Sequence, residues 1–282
     1  MTWTFTDSLP EYRTQAGDFL TAYPAENTVL LTLLHRLEQG RLTGGDPGQA
    51  PRHGWWRPSA DAPVAGAWLQ TPPQGIRLST MPVRAAVELA DLLADAPDVT
   101  GVGGGTAEAR AFADAWAAHT GATATVHEEQ RLYRLGELAV PAVPGRLRPA
   151  TPDDHELLVP WLAAFFEFVG FPGFDAVGIA TQRTLAGEFF IWEDEAGRPV
   201  SLAGLSQVIV GMTRIGPVYT PPEARGHGYA SAVTAGICEV ARERGATEVL
   251  LYTDLANPTS NSIYQKIGFR PVADSVIINF RK

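Results

Sequence analysis

The run Arg225-Gly226-His227-Gly228-Tyr229-Ala230 constrains this chain more than any other stretch of it. The segment before it, Ile215-Gly216-Pro217-Val218-Tyr219-Thr220, is β-branched and aromatic and reads as a strand. After it, Ala230, Val233, Ile237, Val240 and Ala241 recur at helical spacing, with Gly245 as a stop. A glycine-rich turn therefore joins a strand to the N-terminus of a helix. The first turn of a helix has backbone N–H groups without intrahelical partners, and its dipole favours negative charge there. Glycines remove the side chains that would hold a phosphate away from those groups. Two readings are open: a pyrophosphate cradle made by Arg225, Gly226, His227, Gly228, Tyr229, Ala230 and Ser231, or a tight connection that needs Gly228 only for its backbone.

A second stretch lies downstream. Residues 247–254 read as another strand, and Asn257, Asn261, Tyr264, Gly268 and Phe269 follow. Together the two stretches resemble the GNAT superfamily of acyl-CoA-dependent N-acyltransferases. The family's acyl-CoA loop has the form Arg/Gln-x-x-Gly-x-Gly/Ala, which Arg225, Gly228 and Ala230 match. Its later segment has an Asn after a strand, a helix carrying a Tyr, then Gly-Phe, which Asn257, Tyr264, Gly268 and Phe269 match. The resemblance is close over the last half of the chain and loose over the first.

Composition narrows the class. A chain of 282 residues accommodates two domains, and 45% hydrophobic residues supply a sizeable core. The formal net charge of −9 disfavours a nucleic-acid partner, because phosphate contacts need excess Lys and Arg. An acidic surface attracts amines, but acidity also serves solubility. The single cysteine, Cys238, excludes a disulfide framework and a thiolate zinc site within the chain, and no metal is expected. Its place inside the helix after the glycine loop reads as a packed, inert thiol. The N-terminus has no basic stretch followed by an apolar run, and no segment approaches ~18 apolar residues in a row. A soluble, cytoplasmic protein with no membrane partner is expected.

Read in order, residues 14–40 form an apolar helical stripe interrupted at Pro24, and 41–52 a Gly/Pro-rich loop. Strands follow near Trp55, at 64–69 and at 76–79, then a helix at 82–93 and a short strand at 99–102. The run Gly101-Val102-Gly103-Gly104-Gly105-Thr106 is a decoy for a dinucleotide loop: Thr106 stands where that fingerprint needs a last glycine. It reads as a turn or helix cap. A helix at 107–119 and a strand at 125–135 close the half. Residues 141–145 read as a linker. Thr151, Pro152 and Asp154 open a helix as N-cap, first helical residue and third-position acid. Aromatic Phe165, Phe166, Phe168, Phe171 and Phe174 follow, broken by Pro172 and Gly173. A hairpin at 189–205, a strand within 207–220, the glycine loop, its helix, the 247–254 strand, the Tyr264 helix and a strand at 276–280 complete the chain. The halves follow similar orders, so the expected fold is α/β (α+β). It comprises two tandem GNAT-like domains, each a mixed, mostly antiparallel twisted sheet flanked by helices. Residues 1–140 form a degenerate domain, 141–145 a linker and 146–282 the catalytic domain. The first half offers Met81 and Pro82 where the second has its glycines, so one acyl-CoA site is expected.

The resemblance implies an N-acetyltransferase that moves an acetyl group from acetyl-CoA to a small-molecule or peptide amine. It places the pantetheine arm along Val218, Tyr219 and Thr220, where a splayed strand exposes backbone groups, and Asn257 and Asn261 at the cofactor. Asn257 reads either as a hydrogen-bond partner of the arm or as a helix N-cap. Tyr264 reads either as the acid for the leaving thiolate or as a ring packed under the cofactor. A base is harder to find. Glu167 among aromatics could have its pKa raised, but a charged residue on the wet side of a short helix is the commoner case. A mycothiol-synthase-like acetyltransferase and a non-catalytic CoA-binding regulatory protein are the alternatives.

Overall fold

Apolar stripes of helical period and runs of β-branched and aromatic residues resolve, in a computed structural model that describes residues 2–40, 50–96, 98–170 and 174–281, into one order of elements stated twice. The first half runs β1 (Thr2–Thr6), α1 (Leu9–Ala22), α2 (Thr28–Glu38), β2 (Arg52–Arg57), β3 (Gly66–Gln70), β4 (Ile76–Leu78), α3 (Val83–Leu93), β5 (Gly101–Gly105), α4 (Thr106–Thr120) and β6 (Thr123–Leu135). The second runs β7 (Arg146–Pro149), α5 (His155–Phe168), α6 (Ala176–Leu185), β8 (Phe189–Glu193), β9 (Pro199–Leu205), β10 (Met212–Tyr219), α7 (Tyr229–Glu243), β11 (Glu248–Asp254), α8 (Pro258–Ile267) and β12 (Phe269–Arg281). The fold is therefore α/β with a tandem repeat of connectivity.

The chain forms two compact units: residues 1–132 with 253–256 and 272–282, and residues 133–252 with 257–271. In the first unit the strand order is β1-β2-β3-β4-β5-β12. All neighbours are antiparallel except β4 and β5, which α3 joins by a parallel crossover. Trp56, Trp68, Leu89, Phe112, Trp116, Val276 and Ile278 are buried together there. In the second unit the order is β11-β10-β9-β8-β7, again antiparallel except for β10 and β11, which α7 joins. Its core gathers Tyr133, Leu205, Ile215, Val233, Ile237, Leu251 and Phe269. A smaller cluster of Leu158, Leu162, Phe189 and Leu202 lies under α5.

Several elements differ from the sequence reading. The strand β1 and the helix α6 were not expected. The helix expected over 14–40 is two helices, and Pro24 falls in the gap between them. Its first member begins earlier, at Leu9, where Ser8 Oγ accepts the Glu11 N–H. The glycine run at 101–105 is a strand, not a turn, though its last residue, Gly105, is the N-cap of α4 as the cap reading has it. An added Cβ at Gly103 would strike the Arg77 guanidinium, and one at Gly101 the Ile278 carbonyl, so these glycines admit close neighbours. The last strand starts at Phe269 instead of 276. Residues 41–49 of the expected loop, and Phe171, Pro172 and Gly173, lie outside the described residues. Thr151 caps a 3-10 turn, Pro152–Asp154, that leads into α5: its N–H donates to the Asp154 carboxylate at 2.8 Å. No described helix is long and apolar enough to cross a membrane.

Candidate functional site

The end of β10 is built asymmetrically. Against β9 its register passes from Ile215↔Leu205 to Val218↔Ala203, so Gly216 and Pro217 share the place opposite Gly204. That extra residue is a β-bulge, and Pro217 has no N–H for a ladder. Against β11 the parallel ladder runs from Met212↔Glu248 to Ile215↔Leu251, and β10 then continues through Val218 and Tyr219. Neighbouring side chains fix the bulge. Arg183 Nη1 donates to the Gly216 carbonyl at 2.8 Å. The same guanidinium is oriented by Glu188 at 2.8 Å and lies over the Phe189 ring at 4.5 Å. Ser201 Oγ donates to the Tyr219 carbonyl at 3.1 Å and lies 2.9 Å from Thr220 Oγ1.

The loop after β10 turns through a short 3-10 segment, Pro222–Ala224, into extended Arg225. Arg225 Nε reaches back to the Thr220 carbonyl at 3.0 Å, which ties the loop to the strand end. Gly226 and Gly228 both have φ +82°, a conformation that costs other residues about 1–2 kcal/mol. The ladder of α7 starts with Ala232 donating to the Gly228 carbonyl at 3.0 Å. Among the described residues, the N–H groups of 226–231 accordingly donate to no protein atom. The first turn of α7 carries no acidic residue to compete for them. An added Cβ at Gly226 would meet nothing within 4 Å, whereas one at Gly228 would meet Val143 Cγ2 at 3.0 Å, so the open space lies at Gly226. Residues 225–228 are exposed, and the rings of His227 and Tyr229 stack at 5.5 Å.

Helix α8 packs against α7. Asn257 caps it, with Oδ1 accepting the Ser260 N–H at 3.0 Å. The N-cap reading of this residue is therefore correct. Among the described residues its Nδ2 has no acceptor. The Asn261 amide is engaged at both ends: Nδ2 donates to the Asn257 carbonyl at 2.8 Å and Oδ1 accepts from buried Tyr133 at 3.0 Å. Gln265 Nε2 donates to the same phenol at 3.0 Å. Tyr264 is half-buried, edge-on to Phe269 at 6.1 Å. Its hydroxyl has no hydrogen-bond partner among the described residues. Burial pushes its pKa up to about 12.

Residues 156–269 match the acetyltransferase (GNAT) family. Over that segment the chain carries a GNAT-family domain. Mycothiol acetyltransferase from Salinispora tropica is 34% identical over 104 residues, which are 35% of this chain. The match spans 30% of that relative's length. A GNAT-family acetyltransferase from Colwellia psychrerythraea shares the fold with TM-score 0.60 at 16% identity, over 100% of both chains. A tandem GNAT protein from the clavulanic acid biosynthesis pathway does so with TM-score 0.53 at 16% identity, over 99% of this chain and 98% of that one.

The second unit, which holds most of the GNAT-matched segment, carries most of the expected residues. Val218, Tyr219 and Thr220 end β10, residues 225–231 form the loop and first turn of α7, and Asn257, Asn261 and Tyr264 lie on α8. Glu167 is not among them. It sits exposed on the last turn of α5, without the aromatic burial that its reading as a base required. Cys238 is buried and pushed up to about 12, an inert thiol as expected. Arg183 and Ser201 were missed because their partners, the Gly216 carbonyl and the end of β10 at Tyr219 and Thr220, lie far along the chain. Within the first unit, burial and neighbouring Asp254 raise the pKa of half-buried Glu128. Only the tertiary fold pairs those carboxylates.

Proposed function

We propose that this protein is an N-acetyltransferase that moves an acetyl group from acetyl-CoA directly to a primary amine. The observation that carries this reading is the row of unpartnered N–H groups at 226–231, at the start of α7 and beside the bulged end of β10. Open space above Gly226 and the absence of an acid in the first turn of α7 fit a pyrophosphate there. Acetyl-CoA, when bound, supplies the acetyl group as a thioester. The loop N–H groups hold its phosphates, with Arg225, His227, Tyr229, Ala230 and Ser231 around them. The backbone of Val218, Tyr219 and Thr220 lies along the pantetheine arm, and an N–H there stabilises the carbonyl oxygen as it gains charge. Asn257 keeps Oδ1 on its cap and offers Nδ2 to the arm. Asn261 holds α8 in place through Tyr133. As the amine nitrogen bonds to the acyl carbon and the C–S bond breaks, Tyr264 would give its proton to the sulfur, and its phenolate would be reprotonated from the water that takes up the amine proton. The proton of the amine leaves to water.

Among the described residues of the first half, the matching connection holds no such loop. Residues 79–82 join β4 to α3 directly, Pro82 stands at the cap, and Met81 is buried. One acyl-CoA per chain is expected. Calorimetric titration with CoA tests this, and two equivalent sites would overturn it. A screen of thiol release from acetyl-CoA against polyamines, aminoglycosides, amino acids and peptide N-termini tests the transfer itself. The match to the Salinispora tropica protein favours a second, mycothiol-acetyltransferase-like reading, which the same screen tests with that enzyme's acceptor. A non-catalytic CoA binder would titrate normally and release no thiol.

A further inference from the structure

Helix α5 carries two apolar rows of different fate. Leu158 and Leu162 are buried, and Phe166 and one side of Trp161 pack on the same cluster. Trp161, Phe165 and Phe168 recur at i, i+4 and i+7, a second row along the helix. Burial falls along that row: Trp161 and Phe165 are half-buried, and Phe168 is 72% exposed. The inner end of the row meets the proposed reaction site. The Trp161 ring stands 6.1 Å from that of Tyr219, tilted by 51°. Tyr219 is the last residue of β10, just past the bulge. At the outer end Phe165 meets Phe166 edge-on at 5.6 Å, and Phe166 stacks on Phe174 at 4.7 Å.

Scattered exposed apolar side chains need no explanation, but aromatics that recur at helical spacing toward a proposed reaction site suit a ligand. Its charge is equally informative. A polycationic acceptor calls for several carboxylates along its path. Between Trp161 and Phe168 the only acid is Glu167, and Asp175 beyond is engaged in capping α6 through the Gly178 N–H.

We infer that the acceptor is an arylalkylamine-type primary amine, whose aromatic group seats against Trp161 and Tyr219 while Phe165 and Phe168 line its approach. This rests on the acetyl-transfer reading and names its substrate class. The test measures thiol release from acetyl-CoA with phenethylamine and tryptamine against spermidine, kanamycin and glycinamide. The aryl amines are expected to show kcat/KM at least ~10-fold higher, the worth of one good aromatic contact. Trp161→Ala should raise KM for phenethylamine by about tenfold, Trp161→Phe should restore most of it, and CoA affinity should not change. Phe168→Ala, at an exposed position that threatens no core, should raise the same KM about threefold. Equal or better turnover of spermidine or kanamycin overturns the inference, as does a preference for long-chain acyl-CoA that Trp161→Ala abolishes. Calorimetric binding of phenethylamine to the CoA-loaded protein reads the seat without turnover. Binding lost in Trp161→Ala supports the seat even where no amine is acetylated. No binding overturns it, and failure to bind CoA overturns the acetyl-transfer reading instead.

Discussion

A phenol removed from water keeps its proton where a free one starts to lose it. Tyr264, with its pKa pushed up to about 12, stays protonated throughout the range in which an acetyltransferase is assayed. The same shift makes it a weaker acid than a thiol, so its proton can pass to the sulfur only as the C–S bond breaks, and the alkaline limb of a rate profile below pH ~10 belongs to another group. Tyr264→Phe should lower kcat about 100-fold by the same factor at every pH from ~7 to ~10, with CoA affinity unchanged. Rates within a fewfold of the parent in that profile would make Tyr264 a packing residue. Arg183 acts differently, through the bulge it holds. Its ion pair with Glu188 is mostly buried, with side chains 16% and 9% exposed. Arg183→Met leaves Glu188 unpaired and should cost about 3 kcal/mol, read as a lower melting temperature. It should also depress kcat/KM in samples well below that temperature, because the Gly216 carbonyl loses its donor.

At the scale of elements, α7 offers a test that separates fold from binding. A carboxylate in the first turn of a helix stabilises it by roughly 0.3–1 kcal/mol, yet would occupy the N–H groups that a phosphate needs. Ala230→Glu should leave the melting temperature unchanged or slightly raised and weaken CoA binding at least ~10-fold by calorimetry. Undiminished affinity would remove the cradle. The strand β7 and the start of α5 are joined by charge: Arg148 bonds Asp154 at 2.7 Å and Glu193 at 2.6 Å, with those carboxylates 12% and 8% exposed. Arg148 holds both carboxyls below their usual range. Such groups stabilise the fold fully above the unfolded carboxylate pKa, and the contribution disappears as pH falls through the depressed folded values. The parent should thus lose stability below pH ~4 more steeply than Arg148→Met, as followed by circular dichroism during acid titration.

For the whole molecule, the C-terminal strand matters most. Residues 272–282 belong with the first unit, where Ser275 to Asn279 pair with β5 and Val276 and Ile278 are buried. Ending the chain after residue 271 strips β5 of that neighbour and removes two core side chains, worth roughly 3–6 kcal/mol together. The truncated protein should melt at lower temperature or aggregate through the bared strand, as measured by scattering and thermal unfolding. We propose 141–145 as the boundary between the two repeats of connectivity, not between two pieces that fold alone. A fragment of residues 1–145 should share the defect of the truncated chain.

What the sequence determined by itself was local. Glycines at 226 and 228 between a β-rich run and a helical stripe specify a strand, a turn and a helix start, because backbone freedom and orphan N–H groups need no distant partner. Thr151 and Asp154 likewise carry their cap within four residues. What the tertiary structure decided depends on partners far along the chain. The Gly101–Gly105 run reads as a turn by composition and is a strand because Arg77 and Ile278 occupy the space beside it. Asn261 reads as a cofactor ligand, and its amide is engaged by Tyr133 and Asn257. Glu167 reads either as sheltered by its aromatic neighbours or, more commonly for such a residue, as lying on the wet side of its helix, and only the fold decides for the second. Residues 272–281 join the first unit for the same reason: a strand's neighbours are set by hydrogen bonds across space, which no local pattern records.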